Sequence, residues 1–418
     1  MKHSLFLAVV FALLAGQASA YPLDGYEYTG INRLKIFDMV RDSLVQRGTL
    51  EPGSLLKNEQ VVLSLQSHPG WKMPASDPEL SAQLKGLLGG DAAAYGLAVL
   101  DLTKPASPVY AGHQTGYAQN PASVGKVMVA LAFFQALADA HPSIEKRHQI
   151  MHDTMITAND FIIKDSHDVV FWKEGDPKVD RRPIIVGDTA SLYTFMDWML
   201  SPSSSAAASM IQYQLVLAKH FGAEYPVSQA KADEFYASTP KSELSKIFLD
   251  AMQKPLGRNG LDASKLRQGS FFTRTGKSRV PGTNSTATAG ELLKFIVLME
   301  QGKLVDPWSS RELKRLLYLT ERRARYASQP ALNTSAVYYK SGSLYGCKPE
   351  KGFVCEKYAG NKMNYLDSAA IIESPEGLRY VVVLLSNVLR KNSSDTHKEL
   401  ALEIHRLIQA RNGVAAGP

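Results

Sequence analysis

One serine–lysine pair in the chain has a spacing and surroundings that suit nucleophilic chemistry. Ser123 and Lys126 are three residues apart, and they open a segment running to Ala138 that is apolar nearly throughout. Side chains three positions apart on a helix lie on the same face and can meet. A serine hydroxyl needs a base, and a lysine can be that base when burial or a second cation lowers its pKa. The pattern predicts Ser123 as a nucleophile and Lys126 as its base.

The Ser-x-x-Lys spacing alone is weak evidence, because it occurs five times, starting at Ser54, Ser123, Ser143, Ser228 and Ser238. Context separates Ser123 from the other four. Only its lysine projects from an almost wholly apolar helix, and a lysine in such a place is costly to bury and tends to be functional.

Two further polar motifs follow along the chain. Lys340-Ser341-Gly342 ends a predicted strand and is the one Lys-[Ser/Thr]-Gly triplet in the sequence. Its lysine would bind a substrate carboxylate, although a solvated lysine on an edge strand is the common alternative. The serines from Ser203 to Ser205 follow a predicted helix, and taken alone they are better explained as a plain linker that ends in a helix N-cap. Arg274 to Lys277 is predicted to be a loop.

Other chemistries find little support in the sequence. It contains no Gly-x-Ser-x-Gly elbow and no His-Glu-x-x-His motif. A phosphate loop would need a glycine where Phe271 stands before Gly276 and Lys277. We therefore expect no metal and no cofactor.

The elements that position these residues come from both ends of the chain. Strands are predicted at Tyr95–Leu102 and Val109–Gly112, and again at 335–341, 366–373 and 380–386. One helix is predicted near 31–47, and helical patterns, among them 189–200, fill the middle of the chain. Two capping boxes, beginning at Thr288 and Ser309, predict further helix starts. The expected fold class is α/β, an antiparallel sheet built from both chain ends with a large helical insertion.

Residues 1–20 have the charged start, apolar run and small-residue cleavage site of a secretory signal peptide. We expect an exported protein, periplasmic or secreted, with an N-terminal extension at 21–78 and one domain at 79–412. The formal charge is 47 − 40 = +7, and no run of five Lys or Arg occurs, so no nucleic-acid partner is expected. No membrane anchor is expected either, and the protein is predicted to be a monomer.

Cys347 and Cys355 are the two cysteines of the chain. In an oxidising compartment such a pair tends to close into a disulfide. Two free thiols, or half of a zinc site, are the alternatives, and zinc would need further ligands nearby.

The order of the three motifs resembles that of the penicillin-recognising serine enzymes, the class A β-lactamases and the D-Ala-D-Ala peptidases. Ala122 to Ala130 looks like their nucleophile helix, and the likeness extends over roughly 79–410. The resemblance implies that Ser123 forms an acyl-enzyme with Lys126 as base, and that Ser203 relays a proton. Substrate binding would fall to Lys340, Ser341 and Gly342, with backbone N–H groups of Ser123 and Ser343 as the oxyanion hole.

Two departures from the family pattern bear on function. Ser205 stands where the second motif usually ends in Asn, and it offers one donor where Asn offers two. The Glu-x-x-Leu-Asn segment that activates the deacylating water is missing, and Glu234 is the nearest candidate base. The lead hypothesis is β-lactam hydrolysis. A peptidase or esterase acting on cell-wall peptide or another small acyl substrate, and a non-catalytic binding module, are the alternatives.

Overall fold

The computed structural model describes residues 24–41, 51–176, 178–318 and 323–415. The predicted signal peptide lies outside these residues, as does the end of a helix expected at 31–47.

The strands are β1 Tyr95–Asp101, β2 Val109–His113, β3 Met155–Thr157, β4 Val169–Phe171, β5 Asp180–Arg182, β6 Thr189–Ser191, β7 Leu266–Arg267, β8 Thr286–Ala287, β9 Ala336–Gly346, β10 Met363–Glu373 and β11 Arg379–Asn387. The α-helices are α1 Tyr26–Thr29, α2 Asn32–Arg41, α3 Pro78–Leu87, α4 Lys126–Ala140, α5 Ile144–Asp153, α6 Leu192–Leu200, α7 Ser205–Phe221, α8 Gln229–Ser238, α9 Lys241–Arg258, α10 Arg274–Arg279, α11 Ala289–Glu300, α12 Pro307–Tyr318 and α13 Ser394–Asn412.

A five-stranded sheet in the order β2-β1-β11-β10-β9 organises the molecule, and every neighbouring pair is antiparallel. The side chains of β11 alternate between two apolar cores, one on each face of the sheet. Val381 and Val383 pack with the helical insertion, whereas Val382 and Leu384 pack with α3 and α13 on the other face. Because successive side chains of a strand point to opposite faces, this buried strand is apolar on both sides. The predicted fold class is confirmed.

Helix α4 lies in the middle of the helical insertion. It is buried from Lys126 to Leu137, in agreement with its apolar sequence. The helical stretch from Ala122 to Ala140 has the length and composition of a membrane span, but 78% of it is buried inside the fold. It is therefore the central core helix of the insertion.

The described part of the N-terminal extension packs into this same core. Ile31, Leu34 and Val61 belong to the main apolar cluster. Arg33 forms a bidentate ion pair with Asp197 of α6, with both nitrogen–oxygen distances 2.6 Å. The extension thus contributes side chains that the helical insertion needs to complete its interior.

Three local predictions were wrong. Helix α12 begins at Pro307 and not at Ser309, because the Asp306 carboxylate accepts a bond from the Ser309 N–H and supplies the cap. Residues 274–277, expected as a loop, open the short helix α10, whose N-cap is Thr273. Residues 189–191, expected at the start of α6, pair with β3 as a strand instead.

Candidate active site

The nucleophile candidate lies on a tight turn at the start of α4. Ala122 to Gly125 form a 3-10 turn that leads directly into the helix. Ala122 has a φ of 46°, in the left-handed region that a residue with a side chain rarely adopts. Strained backbone of this kind concentrates at functional sites, where the surrounding fold holds it in place. The turn presents Ser123, half-buried, in front of the buried Lys126.

Lys126 lies at the centre of the site, where its amine bonds to Ser123 and Ser203. Its Nζ is 2.8 Å from Ser123 Oγ and 2.6 Å from the Ser203 carbonyl oxygen. Its side chain is fully buried, and burial lowers its pKa to about 7, against the opposing charge of Asp165. An amine with a pKa near 7 can be neutral at neutral pH, and its nitrogen lies within hydrogen-bond distance of the serine hydroxyl.

Ser203 joins the second motif to the third. It lies just before α7 with a φ of 69°, and its hydroxyl accepts a 2.8 Å bond from Lys340 Nζ. Lys126 Nζ is 3.3 Å from the same hydroxyl. Burial lowers the pKa of Lys340 well below its usual value, and the charges of Lys126 and Arg325 lower it further. The structure thus brings all four predicted catalytic residues, Ser123, Lys126, Ser203 and Lys340, into one hydrogen-bonded group.

Gly342 is where β9 touches the nucleophile turn. A Cβ atom at this position would lie 2.6 Å from the Pro121 carbonyl oxygen and 3.2 Å from the Ser123 nitrogen. Only glycine allows so close an approach of two backbones. The contact brings the half-buried Ser341 and Ser343, which flank Gly342 on β9, close to the nucleophile turn.

Asp165 is a site residue that the sequence analysis missed. Its carboxylate accepts bonds from the Ser204 hydroxyl, at 2.7 Å, and from the Ala206 N–H, at 2.8 Å, so it caps α7. Burial raises its pKa, but hydrogen bonds from His167, Ala206 and Ser204 outweigh that effect and hold it well below the usual range. Asp165 lies far from α7 in sequence, and no local pattern signals this contact.

Arg325 was missed as well. Its guanidinium donates a 2.8 Å bond to the Gly342 carbonyl oxygen, at the edge of the site. Among the described residues, no carboxylate forms an ion pair with Arg325, so its guanidinium can contribute a positive charge at this edge of the site. No group of three His, Cys, Asp or Glu side chains in the described part of the chain has a geometry that suits a metal.

Two predicted site residues are not brought into this group. Ser205 is the first residue of α7, half-buried, and within the described residues no hydrogen bond links it to Lys126, Ser203 or Lys340. Glu234 is exposed on α8, where its backbone carbonyl accepts a bond from Ser238. In the interval 206–285, where we looked for the family's deacylation segment, the ring of Phe272 lies beside Lys126, with its centroid 4.7 Å from Nζ.

Two of the competing Ser-x-x-Lys serines have a structural explanation. Ser143 caps α5 by accepting a bond from the Lys146 N–H, and Ser228 caps α8 by accepting one from the Lys231 N–H. An N-cap serine bonds the backbone three residues ahead, so the spacing to lysine is incidental. The predicted disulfide between Cys347 and Cys355 is present, in the loop that follows β9.

Comparison with solved structures places this arrangement in a known fold. A class A β-lactamase from Bacteroides cellulosilyticus aligns with a TM-score of 0.52 and 13% identity over 81% of this chain and 100% of that chain. The TLA-3 extended-spectrum β-lactamase gives 0.52 and 12% over 79% and 98%. A PBP-A variant, captured as an acyl-enzyme with penicillin G, gives 0.50 and 15% over 81% and 100%. The chain therefore has the serine β-lactamase-like fold, and the resemblance drawn from its motifs is confirmed.

A family model described as the "Beta-lactamase enzyme family" matches residues 245–408. That range runs from within α9 to within α13 and includes β9, which carries Lys340, but not the nucleophile turn. No curated protein matches the chain.

Proposed function

We propose that this protein is a serine hydrolase that opens β-lactam amides through an acyl-enzyme on Ser123. The observation that carries the proposal is the contact of 2.8 Å between Ser123 Oγ and the Nζ of a fully buried Lys126. A nucleophile in direct contact with an amine whose pKa is near neutrality satisfies the basic requirement of covalent catalysis.

In the acylation step the Ser123 hydroxyl gives its proton to the neutral Lys126 amine while Oγ attacks the substrate carbonyl carbon. The negative oxygen that forms would accept bonds from the backbone N–H groups of Ser123 and Ser343. Loss of one such donor typically costs about 3 kcal/mol of barrier. The C–N bond then breaks, and the leaving nitrogen takes a proton from Lys126 through the Ser203 hydroxyl.

A substrate carboxylate has a natural place beside Lys340, Ser341 and Arg325. Burial and nearby positive charge disfavour the protonated form of Lys340 in the empty site. A bound carboxylate would reverse that balance, because an opposite charge within a few ångströms stabilises the ammonium form. Lys340 then carries the charge that binds substrate, and Lys126 remains the neutral base.

Deacylation has weaker support in the structure. Hydrolysis of the acyl-enzyme ester needs a positioned water and a base. The side chain that we find beside Lys126 from the interval 206–285 is the aromatic ring of Phe272, which cannot accept a proton. This observation favours a second candidate function on the same scaffold. The enzyme would be a D-Ala-D-Ala peptidase or esterase type that forms the acyl-enzyme readily and releases it slowly from penicillins.

The setting we propose for this activity is the cell envelope. The signal-like residues 1–20 would direct export, and the disulfide between Cys347 and Cys355 suits an oxidising compartment. A monomer acting on a small-molecule acyl substrate, without nucleic-acid partner, membrane anchor or cofactor, completes the proposal.

Incubation of the protein with a fluorescent penicillin, followed by gel and intact mass over time, tests these functions. Transient label indicates a β-lactamase, and lasting label indicates the peptidase-like alternative. Ser123→Ala should abolish the label, whereas the matched variant Ser143→Ala, which removes a helix cap, should retain it. Absence of label on the wild-type protein would contradict both and leave the non-catalytic binding module.

A further inference from the structure

The loop between β9 and β10, residues 347–362, borders the site and is held by several contacts. The disulfide from Cys347 to Cys355 closes its first half. In its second half the buried Asn361 side chain bonds both the N–H and the carbonyl of Lys348, at 2.8 and 3.0 Å. Arg390 holds Glu350 at 2.7 Å from outside the loop. A loop fixed at so many points can hold a side chain in one place.

The side chain that this loop holds against the site is Tyr358. Its backbone φ is 62°, in the left-handed region, which for a tyrosine is uncommon outside tight turns and functional loops. The ring lies 4.9 Å from the guanidinium carbon of Arg325, and the ring of Tyr345 meets it edge-on at 5.9 Å. Tyr358 therefore supports Arg325 from the side of the loop.

Arg325 is tied to the reaction centre on its other side. It too has a left-handed backbone, with a φ of 51°, and it donates to the carbonyl oxygen of Gly342. Two strained residues from separate segments thus meet beside the strand that contacts the nucleophile turn. Burial raises the pKa of the Tyr358 hydroxyl, but the charge of Arg325 and a hydrogen bond with Ser343 outweigh it, so the pKa lies below its ordinary value.

We propose that Tyr358 is a positioning residue that sets specificity for substrates with a carboxylate next to the scissile amide, by holding the Arg325 guanidinium for that carboxylate. The inference rests on the proposed acyl transfer at Ser123 and adds a residue that no motif of the sequence identified. An arginine side chain loses considerable rotamer freedom when it is fixed, and a face-on aromatic ring stabilises the fixed form. With the guanidinium fixed before substrate arrives, binding the anion costs less ordering.

The effect of Tyr358 should appear in carboxylate binding and not in the chemical step. Its ring contacts Arg325, and Arg325 reaches the site through Gly342, whereas the nucleophile Ser123 is bonded to Lys126. Removal of the ring should therefore weaken a carboxylate-bearing ligand and leave its neutral ester unchanged.

Equilibrium binding to a Ser123→Ala protein, which cannot be acylated, tests this separately from turnover. The probes are benzylpenicillin and its methyl ester. Adding Tyr358→Ala should weaken benzylpenicillin by about threefold to thirtyfold, the range of a cation–π contact, and leave the ester unchanged. Tyr358→Phe keeps the ring and should restore most of the affinity. Val354→Ala, three-quarters exposed on the same loop, is the matched control and should change neither value.

Three other outcomes overturn the inference. Equal weakening of both probes by Tyr358→Ala would mean that the ring only maintains the shape of the loop. An unchanged benzylpenicillin affinity would mean that Arg325 needs no support from Tyr358. If the Ser123→Ala protein bound neither probe, there would be no carboxylate-binding site for Tyr358 to support. Wild-type protein that binds benzylpenicillin but takes no covalent label would contradict the proposed function alone.

Discussion

Lys126 and Lys340 share one hydrogen-bond partner, the Ser203 hydroxyl, at 3.3 and 2.8 Å. Two buried amines around a single hydroxyl cannot both hold a proton at low cost, because like charges at short range repel strongly in a poorly solvated site. The arrangement favours the neutral form of at least one lysine. It therefore provides a base without a carboxylate or histidine in contact with the nucleophile.

The pH dependence of acylation follows from this arrangement. Burial lowers the Lys126 pKa from 10.5 to about 7, so the neutral, basic form is depleted below that pH and predominates above it. The acylation rate constant should rise about tenfold per pH unit at acidic pH and level off above neutrality. Stopped-flow measurement with a chromogenic β-lactam between pH 5 and 9 checks this, and a rate constant that still rises tenfold per pH unit at pH 9 would contradict a base with a pKa near 7.

Substitution of the two lysines should separate their roles. Lys126→Ala removes the base and should slow acylation by about 10²–10⁴-fold, with a smaller effect on ligand binding. Lys340→Ala should mainly raise KM for substrates with a carboxylate, because that amine binds the anion. Single-turnover kinetics with and without saturating substrate distinguish the two. Acylation by Lys126→Ala within a few-fold of wild type would refute its assignment.

The sequence predicted the polar group of the site because its members fall in short motifs with an unusual context. Lys126 was recognisable as a cation on an apolar helix, and Lys340 as the end of an apolar strand. The sheet was equally accessible, since β1, β10 and β11 are long and apolar with turn residues between them.

Other site residues could not be predicted, because they act through contacts distant in sequence. Asp165 caps a helix that begins forty residues later, and Arg325, in the segment before β9, reaches Gly342 on that strand. Phe272, between β7 and α10, meets Lys126 of α4 only in the folded chain. Such residues have no local pattern, and their roles emerge from the tertiary fold.

Gly342→Ala should abolish labelling while leaving the fold intact. The added methyl would lie 2.6 Å from the Pro121 carbonyl oxygen, so β9 or the nucleophile turn must move by several tenths of an ångström. Misplacement on that scale can greatly reduce the rate of a covalent step. Gly86→Ala in α3, where a methyl would meet nothing within 4 Å, is the matched control. Normal labelling by a folded Gly342→Ala protein, judged by circular dichroism, would show that the close approach is not required.

The ion pair between Arg33 and Asp197 should make the N-terminal extension essential for stability. Both side chains are almost completely buried, with 3% and 0% exposed. Arg33→Met leaves the carboxylate buried without this partner and should lower the free energy of unfolding by about 3–5 kcal/mol. Urea titration followed by fluorescence measures the change. Lys231→Met, which breaks an exposed pair with Glu224, should have little effect, and equal losses in the two variants would contradict the argument.

Turnover of penicillins should show a burst of one equivalent followed by a slow steady rate. Ser123 and Lys126 provide for acylation, but Phe272 next to Lys126 supplies no base for the water that must release the ester. The absence of a general base typically costs about 10²–10⁴-fold in the step that needs it. Glu234→Gln should leave the steady rate unchanged, because that carboxyl is exposed on α8 and makes no contact with Ser123 or Lys126. Rapid-quench analysis of product and acyl-enzyme measures both phases. Fast turnover without a burst would mean that Lys126 itself, or a carboxylate reaching the site during the reaction, activates the water, and loss of that turnover in Glu234→Gln would identify Glu234 as the carboxylate.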